Sequence, residues 1–357
     1  MRAAWISYLE LTLGSGMSQA AFRQKYAALF DQLRALELNA VFVHVRPFAD
    51  SIYPSDVFPW SEILTGKQGQ NPGYDPLEVL CSLAKERGLA LHAWINPFRA
   101  ARTADITKLC AQSPTLKHLN ANDNWVKRAN GQYFWNPAEL QAHQLIYDGV
   151  REILRRYDVA GVHIDDYFYP TTEKAFDAAD YAAYQGGGGS LSLADWRRGL
   201  ISRFVRGLYE AVKAERPGAV VSISPAASLD GNYGALYADC RRWMKEQGYC
   251  DWMIPQVYFG FEHKSMAFDQ VARQWAGAER HGGCALLFGL AAYKIGKEDA
   301  NAGAGKTEWV EQHNLLARQV QCARGQSGYG GFAIYSATGL LSNFASSERE
   351  NLQKLLK

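Results

Sequence analysis

At 357 residues, 48% of them hydrophobic and 21% charged, the chain is long enough to bury a large core. Its 38 Lys and Arg against 36 Asp and Glu leave a formal net charge of +2 with no dense basic run or basic helix, which argues against a nucleic-acid partner. No stretch of about 18 apolar residues occurs, so no segment reads as a membrane span.

Eight β-type runs recur along the chain, at 3–8, 40–47, 90–97, 159–169, 219–226, 250–259, 284–293 and 329–336, each followed by a loop and a helix-period segment. Most are continuously apolar, the mark of strands covered on both faces. Eight such units in order predict a (β/α)8 TIM barrel, read as a single domain over 1–357. In the first helix Phe22, Tyr26, Leu29, Phe30, Leu33 and Leu36 form one apolar stripe for the barrel wall. Ser18, Asp75-Pro76, Asn136-Pro137, Ser265 and Thr307 are expected helix starts, and Gly88 an expected stop.

The long inserts, 48–74, 98–135, 170–192 and 294–306, all follow strands, so they rise from the C-terminal face of the barrel. Gly186 to Gly189 reads as a hinge or spacer in one of them, not as a phosphate cradle, because no strand feeds it and no Gly-Lys-Ser/Thr follows. The six cysteines, Cys81, Cys110, Cys240, Cys250, Cys284 and Cys322, are scattered without a Cys-x-x-Cys and read as small buried hydrophobes. Met1-Arg-Ala-Ala-Trp-Ile-Ser enters a strand directly without the pattern of a secretory leader. Either the protein stays inside the cell, or a leader has been removed and it belongs to the envelope or the exterior.

The run Gly161-Val-His-Ile-Asp-Asp-Tyr-Phe-Tyr-Pro ends an apolar strand in two adjacent carboxylates, at the end where parallel barrels carry their catalytic groups. Alternation puts His163, Asp165 and Tyr167 on one face and turns Asp166 to the other. The remaining strand ends supply Ser7 and Glu10, His44 and Arg46, His92, Trp94 and Asn96, Gln256 and Tyr258, and Tyr335 or Ser336. The loops add Trp60, Trp125, Phe134, Trp135, Tyr169 and Tyr233. Acids, amides, imidazoles and flat aromatic faces together suit a carbohydrate.

Cleavage of a glycosidic bond calls for one carboxyl to protonate the leaving oxygen and usually a second to act as nucleophile or to activate water. Asp165 is the first, held ionised by Arg46. Glu62, Asp166, Asp50 and Glu10, in that order, are candidates for the second. His44, Arg46, His92, Asn96, His163, Gln256 and Tyr258 are expected to hold hydroxyls, with Trp94, Trp135 and Tyr167 as stacking surfaces. No cofactor is implied. Two alternatives stay open: a barrel that binds glycan without cutting it, and a metal-dependent hydrolase using the histidines at consecutive strand ends with Asp165. Against the second, the first and fifth strands supply no ligand set.

The chain resembles the bacterial glycosyl-hydrolase-like 10 family, a group that includes a division-associated peptidoglycan glycosidase. The resemblance runs nearly end to end through Arg2-Ala-Ala-Trp-Ile, Tyr53-Pro-Ser, Phe58-Pro-Trp-Ser, Leu64-Thr-Gly, Pro72-Gly-Tyr-Asp-Pro-Leu, His92-Ala-Trp-Ile-Asn-Pro-Phe-Arg, Asp165-Asp-Tyr-Phe-Tyr, Ala194-Asp-Trp-Arg-Arg, Tyr237-Ala-Asp and Pro255-Gln-Val-Tyr. It implies a TIM barrel that hydrolyses bacterial wall glycan or a related polysaccharide, with Asp165-Asp166 in the site. It does not assign the acid/base pair.

Overall fold

The computed structural model describes residues 1–11, 13 and 16–357. Among the described residues there are eleven strands: β1 (Arg2–Ile6), β2 (Ala40–Arg46), β3 (Ala90–Ile95), β4 (Arg99–Ala101), β5 (Val126–Ala129), β6 (Gln132–Trp135), β7 (Gly161–Ile164), β8 (Val220–Ile223), β9 (Trp252–Met253), β10 (Ala285–Ala291) and β11 (Tyr329–Tyr335). Eight of them close a parallel barrel in the order β1-β11-β10-β9-β8-β7-β3-β2, and each of the eight apolar runs contributes one. The other three form a small antiparallel sheet, β4-β6-β5, inside the insert that follows β3. That insert was expected only as a long loop.

Both faces of the barrel strands are apolar because both are covered. Ala4, Ile6, Val41 and Val43 pack outward against the helices, while Ala3, Trp5, Ala40 and Phe42 point inward. The helix Gln19–Ala35 buries Phe22, Tyr26, Phe30 and Leu33, and Ser18 caps it by accepting from the Ala21 N–H. Asp75 likewise caps Pro76–Glu86. Asn136 does not start a helix: its amide is tied to the Asn124 carbonyl, and the helix begins at Leu140 with Glu139 as its cap. Phe268–Ala276 begins after Ala267 rather than at Ser265, and Thr307 makes no side-chain cap. No helix among the described residues is long and apolar enough to cross a membrane.

The strands stop earlier than their apolar runs. β7 is four residues long and ends at Ile164, inside the run 159–169, and β9 is two residues long. Pro225 and Pro255 follow β8 and β9 and offer no N–H to the ladder, so pairing there shrinks to single bridges at Gln256.

Two of the expected substrate-binding histidines fill this interior instead. His92 sits between Phe42 and Trp252, with ring centroids 5.0 Å away on each side, and burial pulls its pKa down to about 3. Gly161 makes room for it: a Cβ there would stand 2.9 Å from His92 Nδ1 and 2.2 Å from the Val220 carbonyl oxygen. His163 Nε2 accepts from Trp5 Nε1 at 2.9 Å, so Nδ1 carries the proton and donates to Ser222 Oγ at 2.8 Å. Burial keeps this imidazole neutral. The Trp5–His163–Ser222 chain thus crosses the barrel beneath the cleft and locks its floor. Ser222→Ala would strand the buried Nδ1–H, and the urea midpoint is expected to fall by the equivalent of about 1–3 kcal/mol; an unchanged midpoint would show that the hydroxyl does not anchor the floor.

Candidate active site

A cleft of about 300 Å³ opens at the C-terminal end of the barrel strands. Trp5, His44 and Trp94 form its floor, and Asp165, Asp166, Arg99, Gln256, Tyr258, Tyr293 and Tyr335 are among the residues that line it.

Both members of the acid pair line the cleft, contrary to the expectation that Asp166 faces away. The reason is local. The last ladder bond of β7 is Ser224 N–H to the Ile164 carbonyl, after which the backbone turns, with Phe168 N–H donating to the Asp166 carbonyl and Tyr167 N–H to Asp165 Oδ1. Strand alternation no longer applies beyond Ile164. Asp165 is 6% exposed and Asp166 half-buried.

Asn96, at the end of β3, donates its Nδ2 hydrogens to Asp165 Oδ1 at 2.8 Å and Oδ2 at 2.9 Å. Burial pushes the Asp165 pKa well above the carboxylate range, and the neighbouring Asp166 charge pushes it further; Asn96, the Tyr167 N–H and Arg99 pull the other way. Burial also raises Asp166, against hydrogen bonding from Gln256 and the charge of Arg99. Two carboxyls desolvated side by side cannot both ionise readily, so the pair keeps a proton to higher pH than isolated carboxyls do.

The cation that faces this pair is Arg99, not Arg46. β2 carries a bulge: His44 pairs with Trp94 but Arg46 pairs with Ile95, and the extra residue turns Arg46 to the outside of the barrel. There it is fully buried, with its guanidinium 4.8 Å from the Phe58 ring centroid, and desolvation lowers its pKa to about 10. Arg99, the first residue of β4, lies 4.3 Å from the Phe48 ring and 4.5 Å from the Tyr167 ring and forms no salt bridge among the described residues. Sequence reasoning passed over it, although it closes the run His92-Ala-Trp-Ile-Asn-Pro-Phe-Arg.

The other candidate acids sit elsewhere. Glu62 pairs with Arg102 at 3.2 Å and shares a small separate recess with Asp50 and Gln68. Asp50 accepts from Gln68 Nε2 at 3.1 Å, and burial raises its pKa to about 6. Glu10 accepts from the Ser7 N–H at 2.6 Å, the Thr338 N–H at 2.8 Å and Thr338 Oγ1 at 2.6 Å, fastening the end of β1 to the segment after β11.

Of the expected aromatic platforms, Trp135 is fully buried, Trp125 stacks on His118 at 3.9 Å, and Tyr169 hydrogen-bonds to Asp177 beneath the loop after β7. One face of Trp94 is taken by His44, stacked at 3.8 Å and 9°, while its Nε1–H has no partner. Tyr167 is 46% exposed at the rim. The tyrosine wall was partly missed. Tyr258 stacks with Tyr335 at 5.8 Å, and Tyr293 stands edge-on to both at 5.8 and 5.7 Å. Burial raises all three phenols, Tyr293 to about 12, so they act as neutral hydroxyls. Tyr293 ends the seventh apolar run, where the strand-end rule would have found it. His44, His92 and His163 do not converge, and the described residues hold no cluster of three or more His, Cys, Asp or Glu able to grip a metal ion.

A closed parallel barrel with two adjacent acids and a rim of aromatic hydroxyls at its C-terminal mouth fits the class of glycoside hydrolases. The sequence narrows it further: residues 1–309 match the family described as Glycosyl hydrolase-like 10, and the chain belongs to that family. It is 34% identical to the glycosyl hydrolase YngK of Bacillus subtilis over 346 residues, which cover 91% of this chain and 67% of that one. It is 31% identical to the glycosyl hydrolase DigH of Escherichia coli over 319 residues, 83% of this chain and 72% of that one. The glycoside hydrolase domain of PgaB (BpsB) from Bordetella bronchiseptica shares the fold, with a TM-score of 0.64 over 98% of both chains at 14% identity.

Two outcomes follow from the acid pair. Asn96→Ala removes the donor that favours ionised Asp165, so the pair's titration, followed by carboxyl 13C NMR on the unliganded protein, is expected to move to higher pH; a shift to lower pH would reverse the assigned role. The folded state also holds more protons than an unfolded chain whose carboxyls titrate near about 3.9. Stability is therefore lost as pH rises from there through the pair's raised pKa. Asp165→Asn relieves that loss, so the variant's urea midpoint should fall less than the wild type's between acid and mildly alkaline pH. An equal fall in both would separate Asp165 from the effect.

Proposed function

We propose that the protein hydrolyses glycosidic bonds in a bacterial cell-wall glycan, the peptidoglycan strand, or a related polysaccharide, by carboxylate acid/base catalysis at Asp165 and Asp166. The observation that carries this reading is the pair itself, two adjacent carboxyls, both raised by burial, in a cleft lined with hydroxyls, an amide, aromatic rings and the Arg99 guanidinium. A protonated carboxyl can give its proton to the leaving oxygen while its ionised neighbour supports the positive charge growing on the sugar. The two together balance the reaction, since the proton given to the leaving group returns from water. The peptidoglycan strand as substrate follows from the family resemblance, and the names of YngK and DigH as glycosyl hydrolases support the reaction type.

The remaining cleft residues divide by chemistry. Trp94 Nε1–H, Gln256, and the phenols of Tyr258, Tyr293 and Tyr335 would bind sugar hydroxyls, with Tyr167 as a flat surface at the rim. Asn96 acts through Asp165 and Arg99 tunes both acids. His44 supports the Trp94 ring. Arg46, His92, His163, Trp135 and Glu62 have no place in the reaction.

Incubation with glycan strands stripped of their peptides and with a panel of oligosaccharides should release new reducing ends. Asp165→Asn and Asp166→Asn are each expected to lower turnover by about 10²- to 10⁴-fold, the range a positioned acid or base contributes. Glu62→Gln should stay at the wild-type level. Binding to these glycans without any new reducing ends would make the barrel a glycan-binding module instead.

A further inference from the structure

Hydrolysis that retains configuration needs a nucleophile on the side of the sugar opposite the leaving group, and an inverting enzyme needs a base there for water. Asp165 and Asp166 do not straddle a substrate in this way. Their Cα atoms are consecutive, about 3.8 Å apart, and both carboxyls enter the cleft from the end of β7. Among the described residues lining the cleft there is no carboxylate besides this pair; Gln256 hydrogen-bonds to Asp166, and Tyr258, Tyr293 and Tyr335 form a tyrosine wall. Burial raises the three phenols, which removes them as phenolate nucleophiles. Glu10, which is not part of the cleft lining, has both oxygens committed to Ser7 and Thr338.

The two acids also differ in what their oxygens are doing. Asp165 is buried and accepts from Asn96 Nδ2 on both oxygens and from the Tyr167 N–H at 3.4 Å. Carboxylate oxygens so engaged make a fixed acceptor and a poor nucleophile, and the donors favour ionisation there. The raised protonation belongs to the pair as a whole, and Asp166, half-buried, is the member that reaches the open cleft and can hand that proton on.

We propose, building on the glycosidase reading, that the nucleophile is the substrate's own 2-acetamido group, so that the sugar whose bond is cut must be a 2-acetamido-2-deoxy pyranoside. Asp166 gives its proton to the glycosidic oxygen as the C1–O bond breaks, and the acetamido carbonyl oxygen forms the new bond to C1. The five-membered oxazolinium ring that results carries its charge across the amide, whose N–H donates to Asp165. Water then attacks C1, its proton goes to the Asp166 carboxylate, and the bond from C1 to the acyl oxygen opens to restore the acetamide. Configuration at C1 is retained and no protein atom bonds to the sugar. Trp5 and Trp94, below the acids, supply an apolar floor on which the acetyl methyl can rest. Both sugars of a peptidoglycan strand belong to this substrate class.

The test compares a β-linked N-acetylglucosamine strand with the same strand after chemical N-deacetylation, and adds aryl glycosides whose N-acetyl group carries zero, one, two or three fluorines. The deacetylated strand is expected to be cut at least about 10²-fold more slowly, because a tethered nucleophile is lost, and turnover of the aryl series should fall with each fluorine as the carbonyl oxygen loses electron density. A 1,2-fused thiazoline of N-acetylglucosamine, which mimics the cyclic intermediate, should inhibit competitively. Equal cleavage of acetylated and deacetylated strands, or no dependence on fluorine, overturns the acetamido mechanism and leaves the glycosidase intact. Absence of new reducing ends from every glycan overturns both.

Discussion

Burying Asp165 at the mouth of the barrel is the cost around which the site is arranged. A lone carboxylate moved out of water is expensive, and here a second one adjoins it. Asn96 offsets part of the penalty through a direct bond to each Asp165 oxygen, and Asn96 in turn is fixed because β3 lies next to β7 in the barrel. Sheet registry therefore sets the distance between amide and acid. What remains of the penalty is expressed as retained protonation, which is the property a general acid needs.

The layer below explains why this arrangement stays put. Imidazoles of His92 and His163 are neutral and aromatic in shape, so they fill the barrel as Phe or Trp would; His163 also holds Trp5 by its indole nitrogen, while the buried ring nitrogens of His92 have no partner among the described residues. A charged histidine at either position would sit directly beneath the acids and pull the proton off them. Deep burial lowers both imidazole pKa values and prevents that. Above the floor, Glu10 closes the seam between first and last strands by accepting from backbone N–H groups at both ends of the chain, a side-chain carboxyl used as a fastener.

Much of this was legible in the sequence, for reasons that also mark where legibility ends. Continuous apolar runs reveal barrel strands because both faces are covered, and an apolar run ending in Asp165-Asp166 reveals a strand delivering acids to the C-terminal face. Depth along a strand is not visible in the same way. His163 has the right face but lies two residues before Asp165, roughly 6 to 7 Å deeper at about 3.3 Å per residue, beneath the cleft rather than in it. The bulge in β2 has no signature in Ala40-Val-Phe-Val-His-Val-Arg, yet one added residue exchanges Arg46 for the outer wall. Arg99 was obscured for a different reason: its position depends on β4 pairing with β6, more than thirty residues away in sequence, in an insert that shows no strand pattern of its own.

That exchange of arginines also bears on how the acids can work. A guanidinium in direct contact with Asp165 would hold it ionised at every working pH and leave Asp166 little reason to keep a proton. Arg99 is held instead by the ring faces of Phe48 and Tyr167, through cation–π contacts that fix its position without neutralising it. Its field lowers both carboxyls, but less than burial and mutual repulsion raise Asp165. The aromatic seat of Arg99 thus sets how much positive potential reaches the pair: it opposes the rise that burial imposes on both carboxyls without cancelling it.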